Sequence, residues 1–164
     1  MLTSTKILIV DGASLDTLTI NSINYTSPGG AGLYTALAAV KCGADVTLLA
    51  PLPNPMPKEL TQAAASVNWI GPIITPLELP VFHIIHEQGK TIYKKALFGA
   101  EESLKSDVLP SNLSEFDLVH VTPLGDAVRQ FHFISSCRER NAKIISGGTG
   151  IPLIKNNFEK IFCA

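Results

Sequence analysis

The chain has 164 residues, of which 46% are hydrophobic and 16% charged, and its formal net charge is −1 at pH 7. This composition is typical of a globular domain with its own core, and it gives no electrostatic basis for binding nucleic acid or an anionic membrane. No apolar run is long enough for a signal peptide or a membrane span. The cysteines, Cys42, Cys137 and Cys163, lack metal or redox spacing, so reduced thiols and a cytoplasmic location are expected.

Short apolar runs alternate with helical patterns along the chain, which predicts a parallel sheet covered by helices on both faces. Strands are expected over 6–10, 46–50, 69–70, 118–121 and 143–146, and helices over 31–42, 58–67 and 126–141. Asp126 is the expected N-cap of the last of these helices. Its predicted buried face carries Val128, Phe131, Ile134 and Cys137. A further short helix and a strand are expected over 151–164.

Two stretches do not fit a buried parallel sheet. Residues 15–25 alternate loosely between apolar and polar types, which favours a small exposed sheet. Residues 81–86 and 91–95 flank Glu87-Gln88-Gly89-Lys90, which is a hairpin signal. We therefore expect these stretches to form a separate flap on the main sheet.

Ser27-Pro28-Gly29-Gly30-Ala31-Gly32 forms a turn before the first predicted helix. Backbone without side chains at a helix N-terminus allows a polar ligand to approach the free N–H groups. The same residues could simply form a tight turn that lets the helix pack on the sheet. Thr35 stands where a dinucleotide-binding motif has its third glycine, so a Rossmann-type site is excluded.

The other chemically interesting groups give weaker signals. His83 and His86 should face opposite sides of a strand, His120 should be a hydrogen-bonded core histidine, and His132 should be half-buried on its helix. The acidic pair 101–102 is expected to be solvated. There is no Gly-x-Ser-x-Gly elbow for a hydrolase. Gly147-Gly148-Thr149-Gly150 could be an anion-binding nest or a plain turn.

Asp16 follows the first predicted strand across a short polar turn. In an open parallel sheet, ligands bind outside the carboxyl ends of the strands, and a carboxylate there can accept two hydroxyl hydrogen bonds from a polyol. Asp16 could also be a surface aspartate in a turn. Spacing alone leaves both interpretations open.

Three segments together resemble the ribokinase-like (PfkB) carbohydrate kinases. They are the strand and turn Ile7-Leu8-Ile9-Val10-Asp11-Gly12-Ala13-Ser14-Leu15-Asp16, the Gly-Gly turn and helix of residues 28–38 with the strand of 42–49, and the hairpin of 81–95 ending in Phe98-Gly99-Ala100-Glu101. The resemblance covers essentially the whole chain. It implies an incomplete three-layer α/β/α sandwich, a single partial domain over 1–164, with a small β lid formed by inserted elements at roughly 13–28 and 79–97.

The resemblance implies ATP-dependent transfer of a phosphoryl group to a primary hydroxyl of a sugar or nucleoside, with Mg²⁺. Asp16 would bind substrate hydroxyls, and two glycines would let the backbone close on the sugar. Tyr34 stands where many sugar kinases have asparagine, and Thr122-Pro123-Leu124-Gly125 lacks the acid that some members place near the substrate. By position, the substrate-binding residues would be Ser14, Asp16, Gly29, Gly30, Tyr34 and Phe82.

The second signature of that family, a Gly-Ala-Gly-Asp turn that supplies the anion hole and the catalytic base, does not occur in the sequence. The site for ATP and Mg²⁺ is therefore expected to lie outside this chain, which would be the N-terminal, acceptor-binding part of a kinase or a truncated gene product. The alternative is a non-catalytic module, derived from the same fold, that binds a small polyol or a partner. A homodimer through the lid strands is a further expectation.

Overall fold

The computed structural model describes residues 4–150 and 154–155. Most of the expected helices and strands are present, with shifts of one to three residues at their ends. In chain order the elements are β1 (Lys6–Val10), β2 (Ser14–Ile20), β3 (Ile23–Gly29), α1 (Ala31–Lys41), β4 (Asp45–Leu49), β5 (Leu52–Pro53), α2 (Lys58–Ala64), β6 (Asn68–Ile70), β7 (Ile73–Ile74), β8 (Val81–Glu87), β9 (Lys90–Leu97), β10 (Leu118–Val121), α3 (Ala127–Glu139) and β11 (Ile145–Gly147).

The centre of the fold is a parallel sheet in the order β11-β10-β1-β4-β6. Its strands are apolar on both faces because helices cover both. Leu8 and Val10 pack with Phe133 of α3 on one face, and Ile9 packs with Leu33 of α1 on the other. The α/β fold with three layers is thus confirmed.

A second sheet, the lid sheet, has the order β3-β2-β8-β9 and stands outside the three layers. The hairpins β2-β3 and β8-β9 are antiparallel, and β2 joins β8 in parallel. Asn21 and Ser22 turn the first hairpin, and Gln88 and Gly89 turn the second, all four with positive φ. Because β2 begins four residues after β1 ends, the lid sheet is attached directly to the carboxyl edge of the main sheet.

The inward face predicted for α3 is right for Cys137 and Ile134, which pack in or against the core, and wrong for Val128 and Phe131. Val128 and Phe131 are 40% and 37% exposed, whereas Gln130 and Phe133 are buried together with Cys137. The buried face of α3 is displaced because the side-chain amide of Gln130 makes hydrogen bonds in the interior. A pattern of hydrophobic residues does not reveal a buried polar side chain of this kind. Asp126 caps the helix as expected, its Oδ1 accepting from the Arg129 amide at 2.7 Å.

The helix and strand predicted over 151–164 lie outside the described residues, apart from 154–155. None of the helices in the described part of the chain has both the length and the apolar character to cross a membrane.

Candidate functional site

The carboxyl ends of the central strands meet at one edge of the main sheet. The Asp11 amide donates to the Leu49 carbonyl, and the Thr122 amide donates to the Val10 carbonyl, each at 3.1 Å. The Gly148 amide continues the series by donating to the Val121 carbonyl at 3.1 Å. The residues that follow β1, β10 and β11 are therefore brought side by side, at the edge where open parallel sheets bind ligands.

Asp16 is buried beside the start of the lid sheet, 7% exposed. Its Oδ1 accepts a hydrogen bond from the Phe82 amide at 3.2 Å. Burial raises the pKa of Asp16 above its ordinary value, while the nearby Ser14 hydroxyl and the Phe82 amide counteract the increase. Ser14 is completely buried, yet its Oγ has no hydrogen-bond partner of normal geometry among the described residues. The pair thus combines an acceptor carboxylate with a buried hydroxyl beside it that favours its charged form.

The two glycines that precede α1 present backbone without side chains next to Asp16. A Cβ at Gly29 would overlap the Asp16 carboxylate and lie 2.5 Å from Ser14 Oγ. Gly30 has a φ of 97°, and a Cβ there would lie 2.6 Å from the Gly12 carbonyl oxygen. Only glycine fits either position while Asp16 keeps its place.

Phe82 and Tyr34 lie at different places around this turn. Phe82 is half-buried and packs edge-on against Phe98, with ring centroids 5.5 Å apart. Tyr34 is 57% exposed, lines a groove between α1 and α2, and its hydroxyl donates to the Pro28 carbonyl at 2.8 Å. The structure therefore brings together five of the six residues singled out from the sequence, Ser14, Asp16, Gly29, Gly30 and Phe82, and places the Tyr34 side chain on the groove.

Asp11, Thr122 and Glu101 also gather at this edge. Asp11 is 4% exposed, Thr122 2% and Glu101 7%. A Cβ at Gly12 would overlap the Glu101 carboxylate, and one at Gly32 would lie 2.5 Å from Asp11 Cβ. Burial and then the Asp11 charge raise the pKa of Glu101 to about 8. Burial also raises the pKa of Asp11, against the opposing effects of Thr122 and the amides of Gly12 and Gly32.

The prediction that residues 101–102 form a solvated pair is wrong for Glu101, although Glu102 is exposed. The cause is the short 3-10 helix Gly99–Ser103, which turns Glu101 toward the sheet. Two adjacent glutamates carry no sign of which one points inward. Asp11 could have been found from the sequence, because it directly follows a buried strand.

Two side chains of α3 hold this edge together. Arg129 Nη1 donates to the carbonyls of Glu101 (3.1 Å) and Leu124 (3.0 Å). Gln130 Nε2 donates to the carbonyls of Val121 (3.3 Å), Thr122 (3.1 Å) and Gly148 (2.6 Å). The position of Glu101 and the ends of β10 and β11 therefore depend on α3.

The histidines build no site. His83 contacts the Thr19 hydroxyl at 2.9 Å, His86 the Thr91 hydroxyl at 3.0 Å, and His120 the Ser146 hydroxyl at 2.7 Å. His120 is thus hydrogen-bonded as predicted, whereas His132 is exposed rather than half-buried. Across residues 4–150 and 154–155, no group of three His, Cys, Asp or Glu side chains is placed to hold a metal ion.

The residues at this edge do not suit the phosphates of ATP, and no three acidic side chains among the described residues are grouped to hold Mg²⁺. Asp11, Asp16 and Glu101 concentrate carboxyl groups at the edge, and the amide of Gly32 in the first turn of α1 already faces Asp11. A polyphosphate would meet these acids rather than free amides. Thr149, in the turn after β11, has a buried hydroxyl without a partner, which leaves both interpretations of that turn open.

No protein-family model matches the chain, and no curated protein matches it either. Solved structures do match it, at identities that establish the fold alone. Ribokinase from Giardia lamblia is 16% identical, with a TM-score of 0.78 over 97% of this chain and 55% of its own. Ribokinase from Cryptococcus neoformans, solved with ADP, is 15% identical, with a TM-score of 0.75 over 92% and 51%.

A nucleoside kinase from Methanocaldococcus jannaschii, described as an archaeal member of the ribokinase family, is 18% identical, with a TM-score of 0.69 over 98% of this chain and 58% of its own. The chain thus spans little more than half the length of the structures that it matches. Its fold is ribokinase-like, and it corresponds to part of that fold.

Proposed function

We propose that this chain is the acceptor-binding part of a cytoplasmic, ATP-dependent carbohydrate or nucleoside kinase. The observation that carries the proposal is the placing of Asp16, Ser14 and Gly29 against one another at the carboxyl edge of the main sheet, where the lid sheet begins. The ribokinase-like fold of the neighbouring structures supports it.

Asp16 and Ser14 suit a ligand with adjacent hydroxyl groups. A carboxylate accepts hydrogen bonds from two hydroxyls, and the neighbouring Ser14 hydroxyl favours the charged form of that carboxylate. Gly29 leaves the space that the Asp16 carboxylate fills, and Gly30 leaves the space that the Gly12 carbonyl fills, so the two glycines keep Asp16 in place for the acceptor. Asp16 binds the acceptor and orients it so that one primary hydroxyl points away from the glycine turn.

The lid sheet would shield the acceptor from water. Phe82 is fixed to Asp16 through its amide and to Phe98 through its ring, so movement of β8 changes the cover over the site. Exclusion of water matters in phosphoryl transfer because water competes as the acceptor. In this proposal the described residues act on the acceptor alone.

A second candidate function is a binding module without catalysis. The carboxyl-rich edge supports it, since it disfavours phosphates while keeping the hydroxyl-binding pair intact. A phosphoryl-transfer assay with ATP separates the two functions, because a module binds polyol and transfers nothing.

We further infer that two copies associate through their lid sheets. Cross-strand pairing puts Tyr25, Leu18, Ile84 and Tyr93 in one row, on the same face as Asp16. Tyr25 is 49% exposed and Tyr93 66%. An exposed apolar sheet face next to a ligand site is suited to a second copy that would cover both.

Calorimetric titration of the chain with ribose, fructose, sorbitol and adenosine tests the proposal. We expect one of them to bind, and Asp16→Asn to weaken it by about tenfold or more, because an amide accepts at only one atom. Asp45→Asn, at the amino edge of the sheet, is the matched control and should bind like the wild type. Equal binding by Asp16→Asn would refute the site.

A further inference from the structure

A single backbone turn separates the Asp16 pair from Glu101. Gly12 is held against the Glu101 carboxylate on one side, and its carbonyl lies against Gly30 on the other. Ser14 and Asp16 follow Gly12 by two and four residues. A ligand seated against Asp16 and Gly29 is therefore next to a second group of polar side chains.

That second group, which we call the acid subsite, consists of Asp11, Glu101 and Thr122. Its two buried carboxyl groups have no matched cation. The Nη1 of Arg129 is bound to two backbone carbonyls, and in the described part of the chain no ion pair within 4.0 Å includes Asp11 or Glu101. Two acids that share one neighbouring guanidinium lack a second positive charge, and the proton that Glu101 keeps near neutral pH takes the place of that charge.

Thr122 supplies an independent sign of a missing partner. Its hydroxyl is buried and makes no hydrogen bond of normal geometry within the described residues, although it is close enough to the Asp11 carboxylate to oppose the rise in the Asp11 pKa. Thr122 follows β10 where Asp11 follows β1, and Val10 and Val121 are register partners, so both side chains lie on the α1 face of the sheet. Buried polar groups in native proteins are normally paired, which indicates that a ligand completes this one.

We propose that the acid subsite binds the ammonium group of an amine-bearing sugar or polyol whose hydroxyls are held by Asp16. A primary ammonium has three N–H donors. The subsite offers three acceptor groups for them, the two carboxylates and the Thr122 hydroxyl. This inference rests on the proposed function and narrows its substrate class from polyols in general to aminated ones.

Binding of an ammonium group also releases a proton from the protein. Glu101 is faced by Asp11, Arg129 and Glu102, and the raised pKa of Glu101 keeps it largely protonated near neutral pH. A bound cation favours the charged carboxylate, so the Glu101 proton passes to the buffer as the ligand binds. A neutral sugar at the same site causes no such release.

Two matched pairs of probes test the inference with the chain as it is, at a pH near 6.5 where the amines are charged. They are glucosamine with glucose, and 1-amino-1-deoxysorbitol with sorbitol. We expect the amine of at least one pair to bind about tenfold more tightly than its neutral partner. In Glu101→Gln the ratio within that pair should fall toward one, whereas in the control Glu102→Gln it should stay as in the wild type.

Titrations of the wild type in two buffers of different ionisation enthalpy provide a readout that does not depend on a variant. Release of a fraction of a proton with the amine, and none with the neutral partner, supports the acid subsite. Neutral probes that bind while neither amine is preferred overturn the inference and leave the proposed function standing. If none of the four probes binds, the inference is overturned, and the titration with ribose, fructose, sorbitol and adenosine decides the proposed function separately. An amine preference that persists in Glu101→Gln overturns the assignment to Glu101.

Discussion

The carboxylate of Asp16 occupies the space that a side chain at Gly29 would need. The two residues lie on paired strands, since Asp16 is opposite Ser27 and Ser14 opposite Gly29. The absence of a Cβ at Gly29 and the position of the carboxylate thus depend on each other. The Gly-Gly turn is explained by contact with Asp16 as well as by backbone conformation.

Gly29→Ala should displace the Asp16 carboxylate and weaken polyol binding by about tenfold or more. The control is Gly43→Ala, where φ is +89° but no atom lies within 4 Å of the added Cβ. That variant should lose roughly 1 kcal/mol of stability from backbone strain and keep its binding. Calorimetry and urea unfolding measure the two effects. A Gly29→Ala protein that binds normally would show that the contact has no role in binding.

Glu101→Gln should stabilise the chain at alkaline pH. The pKa of Glu101 is raised from 4.5 to about 8, so the folded state holds this proton more tightly than the unfolded state. Stability from this group is complete below about pH 4.5 and is lost as the pH rises through about 8. The loss is on the order of 3 kcal/mol and is absent in the variant.

Urea unfolding between about pH 5 and pH 9 measures this difference. Glu102→Gln is the matched control, because residue 102 is exposed, and its profile should follow the wild type. Parallel profiles for wild type and Glu101→Gln would mean that Glu101 ionises in the folded chain as freely as in the unfolded one.

Gln130→Met should destabilise the fold by roughly 2 kcal/mol, because the carbonyls of Val121, Thr122 and Gly148 lose a shared buried donor. Glu139→Gln, on the exposed end of the same helix, should change stability by less than about 0.5 kcal/mol. Denaturant midpoints compare the two. Equal midpoints would indicate that α3 holds β10 and β11 by apolar packing alone.

Tyr93→Lys should reduce self-association, since it puts a charge into the apolar row that faces the same side as Asp16. Ile92→Lys is the control, because Ile92 is 48% exposed on the opposite face of the lid sheet. Sedimentation velocity over a concentration series measures the association. If both variants associate like the wild type, the lid face is not the contact between copies.

The pattern of residue types within short stretches of sequence predicted most of the helices and strands. The strand 6–10 and the helix that ends at Lys41, shortly before Gly43, carry their signals in adjacent residues, and their bounds were predicted within one residue. Where the prediction failed, a distant contact decides the outcome. Gln130 is buried because its side-chain amide donates to three carbonyls of other elements. Glu101 is buried because the short helix that contains it directs its carboxylate toward Gly12.

The same difference between local signals and distant contacts explains which residues of the site could be predicted from the sequence. Asp16, Gly29 and Gly30 are near in sequence to β1 and α1, so their places followed from the strand–turn–helix order. Asp11 and Glu101 are 90 residues apart and act as a pair only because both meet Gly12. A single sequence contains no signal for that pairing.

Amide chemical shifts during titration with the tightest polyol test the central claim, that the acceptor binds at Asp16, most directly. We predict that the amides of Phe82, Gly29 and Gly30 shift with one common saturation curve, while the amide of Asp45 at the opposite edge does not move. Saturable shifts confined to the groove between α1 and α2, with the Phe82 amide unchanged, would contradict the claim.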